Sequence, residues 1–509
     1  MFKKRLSGIV REDFRYHFFI ILVGIIIIMA VFVLNNYAQA KEGSNLTEYR
    51  VQQYRFPTEE IGKETISKDL WWYSASVSPV SEFFDSKGQF HTVYESKSHI
   101  NLIEYSEKLE KIIEYSIPKP YPLFGGALID INDNIYVVYG KEDVEKTGNS
   151  VVMSVIKYTK KLEYVSEVTY TGHETSTFGG LEWATKRPFL AGNCSLILNG
   201  STLIVTYARE MYNNHQSSHA LFVNTKDMKK IEHAVPYVSH SFDQQLLINK
   251  EGDYLFVDHG DAYDRGFVFT KIDGDSKNIW LNKVFTTFHF REGTNRSFGY
   301  NETYAQLGAL KETEEGYVFV ASSEKTLSRD VAPTNRKYVG SNEARNLFIQ
   351  VLKKDFIGLE KENSYLSEGE KRKLEGVLPL RAFTELYLPE EVTDYGVIWL
   401  TQYPREYGVF HPKVISLEDG NFLIMWEKFL YNTLDKNNEK YEGTFFMVLS
   451  PFGEILLDES SLGNTRLTEF ESPVYFNNKV YWSSFEGKDN SVTVHVFDIK
   501  QLSNELISK

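Results

Sequence analysis

The chain has one cysteine, Cys194, in 509 residues. No intrachain disulfide can form, so stability has to come from burial and not from cross-links. Basic residues are in deficit: 56 Lys and Arg face 69 Asp and Glu, for a formal charge of −13. Five cations and two acids give residues 1–17 a charge of +3, which leaves about −16 for the rest. That surface excludes nucleic-acid or anionic-lipid binding through bulk charge. Long amphipathic helical patterns are scarce, and there is no Walker loop, dinucleotide fingerprint or Gly-x-Ser-x-Gly elbow. Asp273-Gly274-Asp275 opens like a calcium loop, but Lys283-Val284 stands where a bidentate acid would close it.

What is present begins with Lys3, Lys4, Arg5, Arg11 and Arg15, followed by an unbroken apolar run from Phe18 to Leu34. As a helix that run reaches about 25 Å, close to the thickness of a hydrocarbon core. The one-sided basic flank stays in the cytoplasm and sends the remainder outward. Ala38-Gln39-Ala40 offers a small-x-small cleavage pattern with Lys41 as the new terminus, but the leader and the run are both long for a signal peptide. The expectation is a basic leader over 1–17, a single-pass anchor or signal peptide over 18–40 and a juxtamembrane linker with a possible closing strand over 41–73. A propeller over 74–509 follows, placed outside the cytoplasm and secreted if cleaved after Ala40.

With 32 Tyr and 35 Phe, the chain favours half-buried pleated sheet. Short β-rich segments recur at Phe90–Tyr94, Ile135–Tyr139, Leu203–Tyr207, Tyr254–Asp258, Tyr317–Ala321, Phe422–Trp426 and Val480–Ser484. Most follow a polar turn such as Asn132-Asp133-Asn134 or Glu418-Asp419-Gly420-Asn421, the pattern of a hairpin. A second hairpin often follows: Leu102 to Glu110 closely matches Val155 to Glu163, with looser copies at 347–359, 446–457 and 492–502. Two hairpins make one four-stranded blade, and a blade cannot bury both faces alone. The fold class expected is all-β, a β-propeller of seven four-stranded blades, with six or eight as variants, preceded by one N-terminal helix. Leu46–Phe56 can supply a strand to the last blade and remove an exposed edge. Ser367–Leu374 reads as a short exposed helix within an insertion. Unlinked sandwich domains are the competing architecture.

The text from Ala127 to Val137, with its Asp130-Ile131-Asn132-Asp133-Asn134 turn, resembles the NHL-like class of propeller repeats. The Gly-His to Trp-Asp signature of WD40 repeats and the Asp box of sialidases are absent. His240 to Gly266 is similar to exported bacterial propellers without an assigned activity, a resemblance that implies no catalytic residues.

Polar residues crowd three segments: Asn213 to His219, His240 to Gln244 and Asp258 to Gly266. The candidate ligand-binding residues are Asn214, His215, Gln216 and His219; His240, Asp243 and Gln244; and His259, Asp261 and Arg265. Loops at equivalent places in neighbouring blades share one face, so these groups can converge. A divalent metal held by His215, His240 and His259 with Asp261 is one reading. A proton-transfer site built on His240 with Asp243, or His259 with Asp261, is another. The bland alternative is that these side chains cap strand ends and turns. Cys194 reads as a buried small apolar residue, and Trp71 and Trp72 as core or interface aromatics. The leading expectation is a membrane-tethered extracytoplasmic propeller that binds a protein, peptide or glycan through one loop face. No cofactor is assigned to it, and a divalent metal stays an open option. The alternative is an anchored or secreted hydrolase, lyase or transferase with a His/Asp site there, metal-assisted in one version. A passive envelope component is the third.

Overall fold

The computed structural model describes residues 49–58, 77–189, 192–260, 266–274, 283–286, 305–324, 344–354, 397–431, 439–468, 471–486 and 490–502. The apolar run Phe18–Leu34, Ala38–Ala40, Trp71, Trp72, Ser367–Leu374, Asp261 and Arg265 lie outside them. Among the described residues no helix is long and apolar enough to cross a membrane.

Each apolar segment picked out by the repeat becomes the second strand of an antiparallel four-stranded meander. The second strands are Phe90–Glu95, Ile135–Gly140, Thr202–Met211, Tyr254–Gly260, Gly316–Glu324, Phe422–Tyr431 and Lys479–Glu486. The matched texts fold alike: Ser106 and Thr159 each accept two backbone N–H groups through their hydroxyls, and Leu109 and Leu162 both adopt φ 59°. Both leucines are buried, which offsets the cost of a left-handed backbone at a residue with a Cβ. In the turn after Leu123–Ile129, the Asp130 carboxylate accepts the N–H groups of Asn132 and Asn134 while Asp133 takes φ 60°.

The first strands of the meanders are Val80–Phe84, Leu123–Ile129, Cys194–Asn199, Ser241–Ile248, Gln306–Glu312, Tyr407–Ser416 and Val474–Phe476. Each touches the next, and the last touches the first, so they line the centre of a closed propeller. The third meander has a second inner piece, Thr185–Pro188, paired with the same neighbour. Seven hydrophobic clusters fill the wedges, each shared by two consecutive meanders. Period-two alternation does this: Val137 and Tyr139 face the first meander while Tyr136 and Val138 face the third.

Blade separation departs from the sequence expectation of seven. Five sheets of four or five strands stand apart, whereas the fifth and sixth meanders join into one eight-stranded sheet. The link is a single parallel bridge, Arg345 opposite Gly408, made where the Arg345 guanidinium lies 4.0 Å from the Phe410 ring. Val51–Pro57 pairs antiparallel with Ser491–Asp498, register Val51 to Phe497, and becomes the outer strand of the seventh meander.

Candidate functional site

The strand ends decide which residues can meet. In each meander, the start of the first strand and the turn between second and third strands lie at the same end. Asn213–Gln216, His240 and Gly260 therefore share one rim between the third and fourth meanders.

On this rim Asn214 adopts φ 62° in the turn closed by Met211 and His215. His215 is exposed, and its Nδ1 lies 3.0 Å from Nε2 of His240. His240 has φ 53° and donates its N–H to the Gln216 carbonyl. His219 and His259 turn inward. His219 lies edge-on to Tyr207 at 5.7 Å, and burial holds its imidazole well below its ordinary pKa. His259 packs against Phe267 at 5.0 Å, and burial pushes it down to about 3. Both are neutral core histidines at physiological pH. Asp243 and Gln244 point elsewhere again: Asn193 donates to Asp243 at 2.6 Å, and its Oδ1 accepts the Gln244 N–H at 3.1 Å. Beside His259, burial raises Asp258 to about 7 against the opposing hydrogen bond from Ser241 at 2.7 Å. A rim cluster of Phe178, Trp183 and Tyr237, with centroids 5.0–6.1 Å apart, belongs to the same part of the third meander.

A second constellation, on inner strands and their entry segments, was not singled out in the sequence. Glu82 in Val80–Phe84 and Glu471 just before Val474–Phe476 are half-buried, and both carboxyl oxygens of Glu82 are enclosed by protein. Burial raises Glu82 to about 7, opposed by the approaching Ser483 hydroxyl and N–H. Neither Glu82 oxygen makes a well-formed hydrogen bond among the described residues. Glu471 is raised to about 8 by burial and then by the Glu82 charge, against the pull of Lys413 and of Ser81, whose hydroxyl donates at 3.4 Å. The same carboxylate, after burial, lifts the Cys194 thiol well above its ordinary value, which leaves that thiol protonated and inert. Groups from the first, third, sixth and seventh meanders thus influence one another near the axis.

Two residues before Lys413, a bulge in Tyr407–Ser416 holds His411 at φ 50°. Its Nδ1 lies 3.0 Å from Glu427 Oε2, and its N–H donates to Gln306 at 2.9 Å. Burial opposes ionisation of Glu427, yet His411, Arg466 at 3.0 Å and the Leu467 N–H hold it below the usual carboxylate range. A buried carboxylate that fixes one imidazole nitrogen leaves the other to exchange protons. The signals were present in the sequence: Pro412 inside a strand marks a bulge, and Glu427 directly follows the apolar text Phe422 to Trp426 within the same strand. Among the described residues no group of three or more His, Cys, Asp or Glu is placed to hold a metal ion.

No protein-family model and no curated protein matches the chain, so NHL-like repeats are not shown. Solved structures do resemble it. An ulvan lyase of polysaccharide lyase family PL25 is 11% identical, over 71% of this chain and 79% of its own, at a TM-score of 0.40. The GH93 α-L-arabinofuranosidase of Fusarium graminearum is 9% identical, over 88% of this chain and 99% of its own, at 0.37. The Penicillium chrysogenum α-L-arabinanase is 11% identical, over 78% and 99%, at 0.33. Likeness at this level concerns the fold, and these neighbours are carbohydrate-active β-propellers.

Proposed function

We propose that the chain is an extracytoplasmic carbohydrate-active enzyme, a hydrolase or lyase, that works at the axis of its propeller and is tethered by its N-terminal apolar run. The observation that carries this reading is the coupled pair Glu82 and Glu471, raised to about 7 and 8 beside Lys413. Carboxyl groups that keep a proton near neutrality serve as general acids, and mutual repulsion favours a single shared charge. Glu471 is the acid that protonates a leaving oxygen. His411, oriented by Glu427, is the complementary base.

The test is turnover of a panel of neutral and uronic-acid polysaccharides by the purified protein. Glu471→Gln and His411→Ala should each lower the rate by about 10²–10⁴-fold, with unchanged circular dichroism. Activity that survives both substitutions, or a folded protein inert on every polymer, refutes the assignment. A binding role is the second reading, and the exposed Phe178 beside Trp183 and Tyr237 favours it, since aromatic faces stack on sugar rings. Glycan capture that is lost in Phe178→Ala, with no turnover anywhere, selects that reading.

A further inference from the structure

We infer that Arg466 makes the axial site selective for acidic polysaccharides, by taking the carboxylate of a uronic acid sugar beside His411. Its bearing on turnover rests on the enzyme proposed above, whereas the binding contact itself does not. The two side chains hang from one enclosed acid: Glu427 Oε2 lies 3.0 Å from His411 Nδ1, and Glu427 Oε1 lies 3.0 Å from Arg466 Nε. A sugar held by the guanidinium is therefore set next to the imidazole, whose second nitrogen remains for proton exchange.

Arg466 is held rigidly and yet left open. It stands on the crossing from Ile455–Ser461 to Val474–Phe476, and the backbone there is clamped. The Arg466 carbonyl accepts from Trp482 Nε1 at 2.9 Å, and the Thr465 carbonyl accepts from the Tyr441 hydroxyl at 3.0 Å. On the other side, the Leu467 N–H donates to Glu427 Oε1 at 2.8 Å. The guanidinium lies 4.4 Å from the Tyr441 ring and 5.3 Å from the Phe429 ring, a stacking that fixes its plane. Little conformational freedom is left to lose on binding. Arg–carboxylate pairs are frequently two-pronged, but here only Nε meets Glu427. The Arg466 side chain stays 45% exposed, and its terminal nitrogens make no hydrogen bond to the described residues. Two coplanar N–H donors match a carboxylate bidentately. The formal charge of −13 repels polyanions at a distance, so an acidic polymer has to be recognised by a fixed local cation of this kind.

The experiment is isothermal titration calorimetry of the full-length protein with hexamers of galacturonic and of glucuronic acid, with their methyl esters, and with a sulfated galactan oligosaccharide. One of the acids should bind about 10–100-fold more tightly than its ester, the worth of a hydrogen bond to a charged group. Arg466→Gln should abolish that preference, and Arg466→Lys, which keeps the charge but not the fork, should restore only part of it. The ratio of acid to ester cancels any loss the two probes share, and circular dichroism reports whether each variant folds; should Arg466→Gln not fold, Arg466→Lys carries the test. Equal affinity for acid and ester, or a preference that survives both substitutions, overturns the role of Arg466. Tighter binding of the sulfated probe, lost in Arg466→Gln, overturns the carboxylate in favour of a sulfate ester. Uronate binding that needs Arg466, without turnover of any polymer, upholds the contact and sinks the enzyme. Turnover of neutral polymers with no preference for uronates does the reverse.

Discussion

Asp258→Asn should stabilise the protein at alkaline pH and do little under acid conditions. Burial raises the Asp258 carboxyl from 3.8 to about 7, and its Oδ1 accepts from Ser241 at 2.7 Å. Its folded pKa lies above its unfolded one, so the folded chain holds the proton more tightly. The associated stability is complete below about pH 4 and is lost as pH rises through about 7. A shift of about 3 units corresponds to about 4 kcal/mol over the whole window, of which about 2.5 kcal/mol falls between pH 5 and 8. The amide keeps the acceptor for Ser241 and never ionises. A propeller of this size gains about 1 kcal/mol K⁻¹ of unfolding entropy near its midpoint, so the gap in Tm should widen by about 2–3 °C. The assay is differential scanning calorimetry of wild type and variant in matched buffers at pH 5 and pH 8, where the titration of every other group cancels in the difference. A gap independent of pH, or a wild type that gains on the variant at pH 8, would show that Asp258 is not held protonated by burial.

Other changes follow from packing. Gly88→Ala places a Cβ 2.6 Å from the Phe476 ring at a backbone φ of +76°, and should cost about 1–2 kcal/mol by urea denaturation. Leu423→Ala empties part of the wedge between the sixth and seventh meanders and should cost about 2–5 kcal/mol by the same measurement. Deleting residues 49–57 bares the edge of Ser491–Asp498, and static light scattering should report self-association that the intact protein lacks. A monodisperse deletion variant with unchanged Tm would contradict that role.

The second strands were legible because they are buried on both faces and read as unbroken apolar text bounded by Asn, Asp and Gly turns. The inner strands were not. They carry Gly125 and Gly126, Asp243 to Gln245, and His411-Pro412, and bulges in four of them shift the alternation that sequence reading relies on. The same cause limited the site. That Asn213–Gln216 and His240 share a rim follows from connectivity. The inward turn of His219 could not be read, because nearly all of Gln216–Asn224 is buried and neither face declares itself. Glu82 belongs to the first meander and Lys413 and Glu471 to the last two, so only ring closure brings Glu82 beside them. The fusion of the fifth and sixth meanders, which leaves only five sheets standing apart, reflects one local bridge at Arg345, which no periodicity encodes.

The ladder between Val51–Pro57 and Ser491–Asp498 has a kinetic and mechanical corollary. A nascent chain that emerges N-terminus first must keep Val51–Pro57 unmatched until its distant mate has left the ribosome, so assembly ends in one late, long-range zippering step. If the leader is embedded in a bilayer, tension on the tether is delivered to that seam first. The latch that finishes the molecule is then also where a pulling force would begin to undo it.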